Sequence, residues 1–262
     1  MIARKLEKFI LNEDAHVSVI LKDLDKSELI YTYNESIQVP SASTIKIVIM
    51  IEAINQTMKG KFSFHDLIDI RNEDRVEYSI VTELEINRFT FKDLITLMIT
   101  VSDNTATNIL IDLLGIENIN RLARDLNLKD TLLQRRMMDF QEAKLGKENY
   151  TSPYDMAKTL ELIYNKEILN GNMCRLMIDI LKKQKDKGML SRYLPSGIEI
   201  AHKTGELENL NHDIGIIFLE ERDYILGVFV TEAKSNLRAK KTIGHVSKMV
   251  YEDFKNQGVK KR

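Results

Sequence analysis

Strand-forming sequence lies near both ends of this chain, with helical periodicity between, and few folds accommodate that order. Residues 16–24 alternate, with Val17, Val19 and Leu21 on one side. Residues 29–33 are again rich in β-formers, and the turn residues at 23–27 predict a hairpin. Leu6, Phe9 and Ile10 predict a short helix before it. From Ser43 to about Leu181 the apolar spacing becomes three and four, most clearly at 46–58, 91–101, 104–114 and 154–164. Asp103, or Ser102 before it, stands where the third of these needs a cap. Beyond Pro195 short β-branched runs return at 198–201, 214–219 and 224–230, punctuated by Gly197, residues 209–211 and residues 221–223. A closing helix over about 236–254 carries Ile243, Val246, Met249 and Val250. One sheet assembled from both termini, with a helical insertion, satisfies this order.

Charge narrows the possible partners. Lys and Arg total 38 against 39 Asp and Glu, which gives no electrostatic reason to bind nucleic acid or an anionic membrane. No window approaches the roughly 20 apolar residues of a membrane span. The stretch from Met1 to Ile10 alternates charged and apolar residues, whereas a secretory signal needs roughly 7–15 apolar residues in a row. The expectation is therefore a cytoplasmic monomer acting on a small molecule, secreted only if a signal has been removed. Cys174 is the only cysteine, so an intrachain disulfide is excluded and a buried helix residue expected. No His or carboxylate cluster has metal-ligand spacing, so neither metal nor cofactor is expected. His16, His65, His212 and His245 read as core or surface residues. His202 should point away from its neighbour Lys203 by strand alternation and serve as packing.

Three short motifs carry chemistry. Ser43-Thr44-Ile45-Lys46 is S-x-x-K at the start of a predicted helix, Ser102-Asp103-Asn104 is S-D-N at a helix boundary, and Lys203-Thr204-Gly205 is K-T-G at a predicted strand end. Each alone is common. All three in this order are not. On a helix, positions i and i+3 share a face, so Ser43 and Lys46 are within hydrogen-bond reach. A serine hydroxyl is a weak nucleophile that needs a neighbouring base. Burial or a second cation, with Lys203 as the candidate, lowers a lysine pKa enough to supply one.

These motifs resemble the class A β-lactamase family of serine penicillin-recognising enzymes. Val101-Ser102-Asp103-Asn104-Thr105-Ala106-Thr107-Asn108, Ala201-His202-Lys203-Thr204-Gly205 and Asn211-His212-Asp213-Ile214-Gly215 extend the likeness. It implies an α/β (α+β) fold in which an antiparallel sheet, flanked by N- and C-terminal helices, stands beside an all-helical domain. The implied bounds are 1–39 with 188–262 for the sheet domain and 40–187 for the helical one, with the active site in the cleft between them. It implies that Ser43 is acylated, Lys46 is its proton partner, and Ser102 relays a proton to the leaving nitrogen. Asn104 would bind the substrate's amide side chain, and Lys203 and Thr204, beside Gly205, would recognise a carboxylate. The oxyanion hole would be the backbone N–H groups of Ser43 and Glu206.

Two departures qualify the resemblance. The family's deacylating loop reads R-x-E-x-x-L-N, whereas the equivalent stretch here is Gln134-Arg135-Arg136-Met137-Met138-Asp139-Phe140-Gln141-Glu142. Counted from Arg136, the glutamate position is Met138. Asp139 and Glu142 are the remaining carboxylates, although Asp139 reads more readily as a loop residue bonded to backbone. Glu206 replaces a small residue, and in the cleft its charge would oppose a carboxylate-bearing substrate. The leading expectation is β-lactam hydrolysis through an acyl-serine. The alternatives are an esterase or peptidase of the same fold, or a covalent β-lactam sensor with slow deacylation.

Overall fold

The computed structural model describes residues 2–220 and 222–259. Met1 and Glu221, read above into the N-terminal stretch and a turn, lie outside the described residues. Five strands form one antiparallel sheet: β1 (His16–Asp23), β2 (Glu28–Tyr33), β3 (Glu199–Leu207), β4 (Leu210–Phe218) and β5 (Tyr224–Thr231). Their order is β2-β1-β5-β4-β3, so β1 pairs with β5, Val17 opposite Val230, and the two ends of the chain share the sheet. The β1–β2 hairpin turns where the Asp23 carboxylate accepts the Lys26 amide at 3.0 Å.

Both faces of β1 are covered, which explains its near-continuous burial. Val17, Val19 and Leu21 pack with Ile2, Leu6 and Ile10 of α1 (Ile2–Ile10) and with Ile243, Val246 and Val250 of the closing helix. Ile20 faces the opposite way, into the core shared with the helical insertion. Leu6 is fully buried in the first cluster, and its truncation to alanine would cost about 2–5 kcal/mol.

The helices of the insertion start where their caps stand. In α2 (Lys46–Met58), Ile47 to Ile54 are buried on every side, as expected of a central core helix. Thr90 and Asp93 form a capping box for α3 (Phe91–Thr100). Asp103 caps α4 (Asn104–Leu114), accepting the Ala106 amide at 2.8 Å. After α5 (Ile116–Asp125), Ser152 caps α6 (Pro153–Tyr164) with proline in its first turn, and Asn170 caps α7 (Gly171–Leu181). Cys174 is buried within α7. The closing helix α8 runs over Asn236–Val259.

Two expectations change. Lys203-Thr204-Gly205 lies inside β3 rather than at a strand end, because β3 continues to Leu207 and β4 already begins at Leu210. Polar residues at 202–206 look like a strand terminus in sequence, yet His202, Lys203 and Thr204 are buried against partners from other elements. The stretch between the terminal strands also contains short strand pairs, Val39–Pro40 with Tyr150–Thr151 and Leu67–Asp69 with Arg88–Thr90.

Candidate active site

Ser43 lies on a single 3-10 turn, Ala42–Ile45, that feeds α2. Ala42 has φ 45°, a left-handed conformation that costs a non-glycine residue about 1–2 kcal/mol. The turn is held from below: the Ser41 amide donates to Asn149 O at 2.7 Å, and Thr44 Oγ1 donates to Ser41 O at 2.7 Å. His212 on β4 reaches Pro40 O with Nε2 at 3.0 Å, and burial pushes that imidazole down to about 4. Gly205 lets β3 approach this turn. A Cβ there would lie 3.0 Å from Ala42 Cβ and 3.2 Å from the Ser43 nitrogen.

The three motifs meet around one hydroxyl. Lys46 Nζ donates to Ser102 Oγ at 3.1 Å, to Ser102 O at 2.8 Å and to Asn104 Oδ1 at 2.9 Å. Lys203 Nζ donates to the same Ser102 Oγ at 3.1 Å and to Thr204 O at 2.8 Å. Ser102 has φ 57°, which turns both its carbonyl and its hydroxyl toward Lys46. Both lysines are fully buried. Desolvation, then the charge of Lys203, holds Lys46 well below the ordinary lysine range, against the pull of Asp103. Desolvation also lowers Lys203, to about 7, opposed by Asp213 and Asp186.

The expected Ser43–Lys46 hydrogen bond is not formed in this state. Three acceptors occupy all three ammonium protons of Lys46, and none is Ser43. Loss of one proton would free a lone pair and release one of those contacts. The resting geometry thus suits the charged amine, while burial drives it toward the neutral one.

Asp103 braces the rim. Its carboxylate accepts Ser79 Oγ at 2.8 Å and the Val81 amide at 3.0 Å, besides capping α4. That contact shapes the segment carrying Tyr78, which sequence reasoning passed over. Tyr78 is 78% exposed, has φ 53°, and accepts the Asn104 amide on its carbonyl at 3.4 Å. This exposed aromatic, in a left-handed conformation, thus stands at the rim beside the S-D-N turn. Its only sequence signal is a tyrosine among charged residues.

In the loop at 134–149 the two adjacent arginines have different partners. Arg135 makes a partly buried ion pair, reaching both oxygens of Glu148 at 2.8 and 2.9 Å, while Arg136 pairs with Asp112 at 3.1 Å. Asn149 ties the same neck, taking the Gln134 and Arg135 amides at 2.8 and 3.0 Å. Counted from Arg135, the R-x-E position is Met137, which is buried in the core. Asn108 on α4 holds it by both backbone groups, at 2.7 and 3.0 Å.

Neither candidate carboxylate reaches the lysines. Asp139 accepts the Glu142 amide at 3.1 Å and caps the short helix Phe140–Lys144, while Glu142 pairs with Lys147. Among the described residues, neither bonds to Ser43, Lys46, Ser102 or Lys203. The Glu206 side chain is turned to α8, where Asn236 Nδ2 and Lys240 Nζ meet its oxygens at 3.2 and 2.7 Å. His202 points away from Lys203, as alternation required, and is hydrogen-bonded to Asp213.

Residues 1–254 match the family model described as "Beta-lactamase enzyme family". Beta-lactamase CARB-3 of Pseudomonas aeruginosa is 29% identical over 195 residues, 73% of this chain and 67% of that protein. The crystal structure of a beta-lactamase from Sphaerobacter thermophilus is 26% identical, covers 96% of each chain and superposes with TM-score 0.88. A point mutant of PBP-A, solved as an acyl-enzyme complex with penicillin G, is 25% identical with TM-score 0.88, covering 97% of this chain and 96% of its own.

Proposed function

The chain belongs to the beta-lactamase enzyme family, as a class A β-lactamase-like serine enzyme, and we propose that it opens β-lactams by acylating Ser43 and hydrolyses the product slowly. Ser43 Oγ attacks the lactam carbonyl carbon, and its proton passes to neutral Lys46. The carbonyl oxygen, now anionic, takes the N–H groups of Ser43 and Glu206, and losing one such donor typically costs about 2.7–4 kcal/mol. The C–N bond then breaks, and the leaving nitrogen takes a proton through Ser102. Asn104 binds the acyl amide, while Lys203 and Thr204 bind the substrate carboxylate.

The observation that carries this reading is the convergence of two buried lysine amines on Ser102 Oγ, each at 3.1 Å. Two lysines in one dry site are costly to keep charged, which fits proton transfer rather than folding. With Glu206 turned to α8, its charge is met by Lys240 instead of opposing the substrate.

Met137 favours a second reading, a covalent β-lactam binder. Deacylation needs a water activated by a carboxylate, and the position that supplies one in the family's motif is apolar here. A chromogenic β-lactam with intact-mass detection, and Ser43→Ala as control, tests both. Turnover lost in Ser43→Ala supports the hydrolase, and a lasting single adduct supports the binder. Absence of any adduct or turnover in the wild type overturns both.

A further inference from the structure

His202 and Asp213 are fully buried on the sheet face away from Lys203, with Nδ1 2.9 Å from one carboxylate oxygen and 3.1 Å from the other. Asp213 stands opposite Thr204 in the β3–β4 register, one residue from Lys203. Its second oxygen also takes the Leu190 amide at 3.0 Å. The carboxylate therefore ties β4, β3 and the segment entering β3 together directly behind the K-T-G residues. Gly215, opposite His202, makes room for the ring: a Cβ there would lie 2.5 Å from His202 Cβ. Among the described residues His202 Nε2 has no partner, so the ring bonds there to Asp213 alone.

A wholly apolar pair would pack this position without the cost of burying a carboxylate. The charge has a use on the other side of the strand. Lys203 faces Lys46 across Ser102 Oγ, with Asp103 beside Lys46, Asp186 on the segment before β3, and Asp213 with His202 on the sheet. Of the two carboxylates acting on Lys203, only Asp213 is fully buried, and a buried charge is little screened.

We propose that Asp213, oriented by His202, is a positioning residue that keeps Lys203 charged as the donor to Ser102 and the substrate carboxylate. It acts through Lys203 and touches no reacting atom. The proposal rests on the reading of Lys203 given above. The fall of Lys203 to about 7 despite Asp213 places the alkaline limb of acylation near neutrality.

The test is the pH profile of Ser43 acylation by penicillin G, followed by intact mass in Asp213→Asn, His202→Leu and His202→Asn. Asp213→Asn is expected to shift the alkaline limb acidward by about one unit, which is about a fivefold loss at the wild-type midpoint and approaches tenfold above it. His202→Leu, which leaves Asp213 buried without its ring donor, is expected to shift the limb the same way and serves if Asp213→Asn does not fold. His202→Asn, whose amide replaces the Nδ1 donor, should restore the wild-type profile. Equal profiles in all folded variants, or a uniform loss of rate at every pH, would overturn the assignment and leave the pair a strand clamp. Absence of acylation in the wild type would instead sink the reading on which it rests.

Discussion

Asn108 holds Met137 by its backbone, with Met137 N donating to Oδ1 at 2.7 Å and Nδ2 donating to Met137 O at 3.0 Å. One side chain thus fixes the loop's position against α4, and it does so whatever residue stands at 137. Under the reading proposed above, this is where a water-activating carboxylate would be held, and methionine stands there instead.

Met137→Glu should therefore shorten the life of the acyl-enzyme. A positioned general base contributes roughly 10²–10⁴-fold, and the lower end is expected because the new carboxyl must also be accommodated at a site only 9% exposed. Intact-mass decay of the penicillin adduct is the measurement. An unchanged lifetime in a folded Met137→Glu protein would show that the loop does not deliver residue 137 to the ester.

Lys203 should cost the fold stability at neutral pH. Its pKa falls from 10.5 to about 7, so the unfolded chain binds more protons than the folded one between those values. The penalty is full below about 7, and stability rises with pH until the unfolded lysine also loses its proton. At about 1.4 kcal/mol per unit, Lys203→Met is expected to stabilise the protein at pH 7 by a few kcal/mol, less its lost hydrogen bonds. Melting temperatures at pH 6 to 10 decide it: the variant should be the more stable at pH 7 and should lose the rise. A wild type more stable than the variant at every pH would contradict this.

Much of this was legible in the sequence. The helices at 46–58 and 104–114 emerge from apolar spacing and from Asp103, because periodicity and a cap are local signals. The convergence of Ser102 with two lysines rests on tertiary contacts but was announced by three motifs in order. Polar strand residues were harder: His202 to Glu206 read as a strand end because their partners, Asp213 and Ser102, lie 11 and 101 residues away. The loop arginines pose a related difficulty. Arg135 and Arg136 are adjacent and chemically alike, and their distant partners, Glu148 and Asp112, distinguish them. Tyr78 left no periodic signal, since what marks it is exposure and backbone angle.

That ion pair makes the loop testable on its own. Arg135 is 9% and Glu148 25% exposed, between the surface and buried limits, so Glu148→Ala is expected to cost about 2 kcal/mol. The larger effect should be local, with amide exchange at residues 136–147 faster while the sheet stays protected. Exchange that quickens everywhere alike would mean that the loop unfolds only with the whole chain.

Gly205 should be worth more to activity than to stability. Its φ is not left-handed, so alanine meets no backbone strain there, and the obstacle is contact alone. The added Cβ would press on Ala42 Cβ at 3.0 Å and on Ser41 O and Ser43 N at 3.2 Å, none of them the end of a flexible side chain. Either β3 withdraws or the 42–45 turn moves, and both separate the Ser43 amide from the Glu206 amide. Relaxation by a few tenths of an ångström typically costs about 1–3 kcal/mol in stability. Misplacement of an oxyanion donor costs up to 10²–10³ in rate. Gly205→Ala is therefore expected to keep a cooperative melt, lowered by several degrees, while Ser43 acylation slows at least a hundredfold. Acylation within threefold of wild type would show that the two amides do not act together on the carbonyl oxygen, and the donor assigned to Glu206 would have to be sought elsewhere.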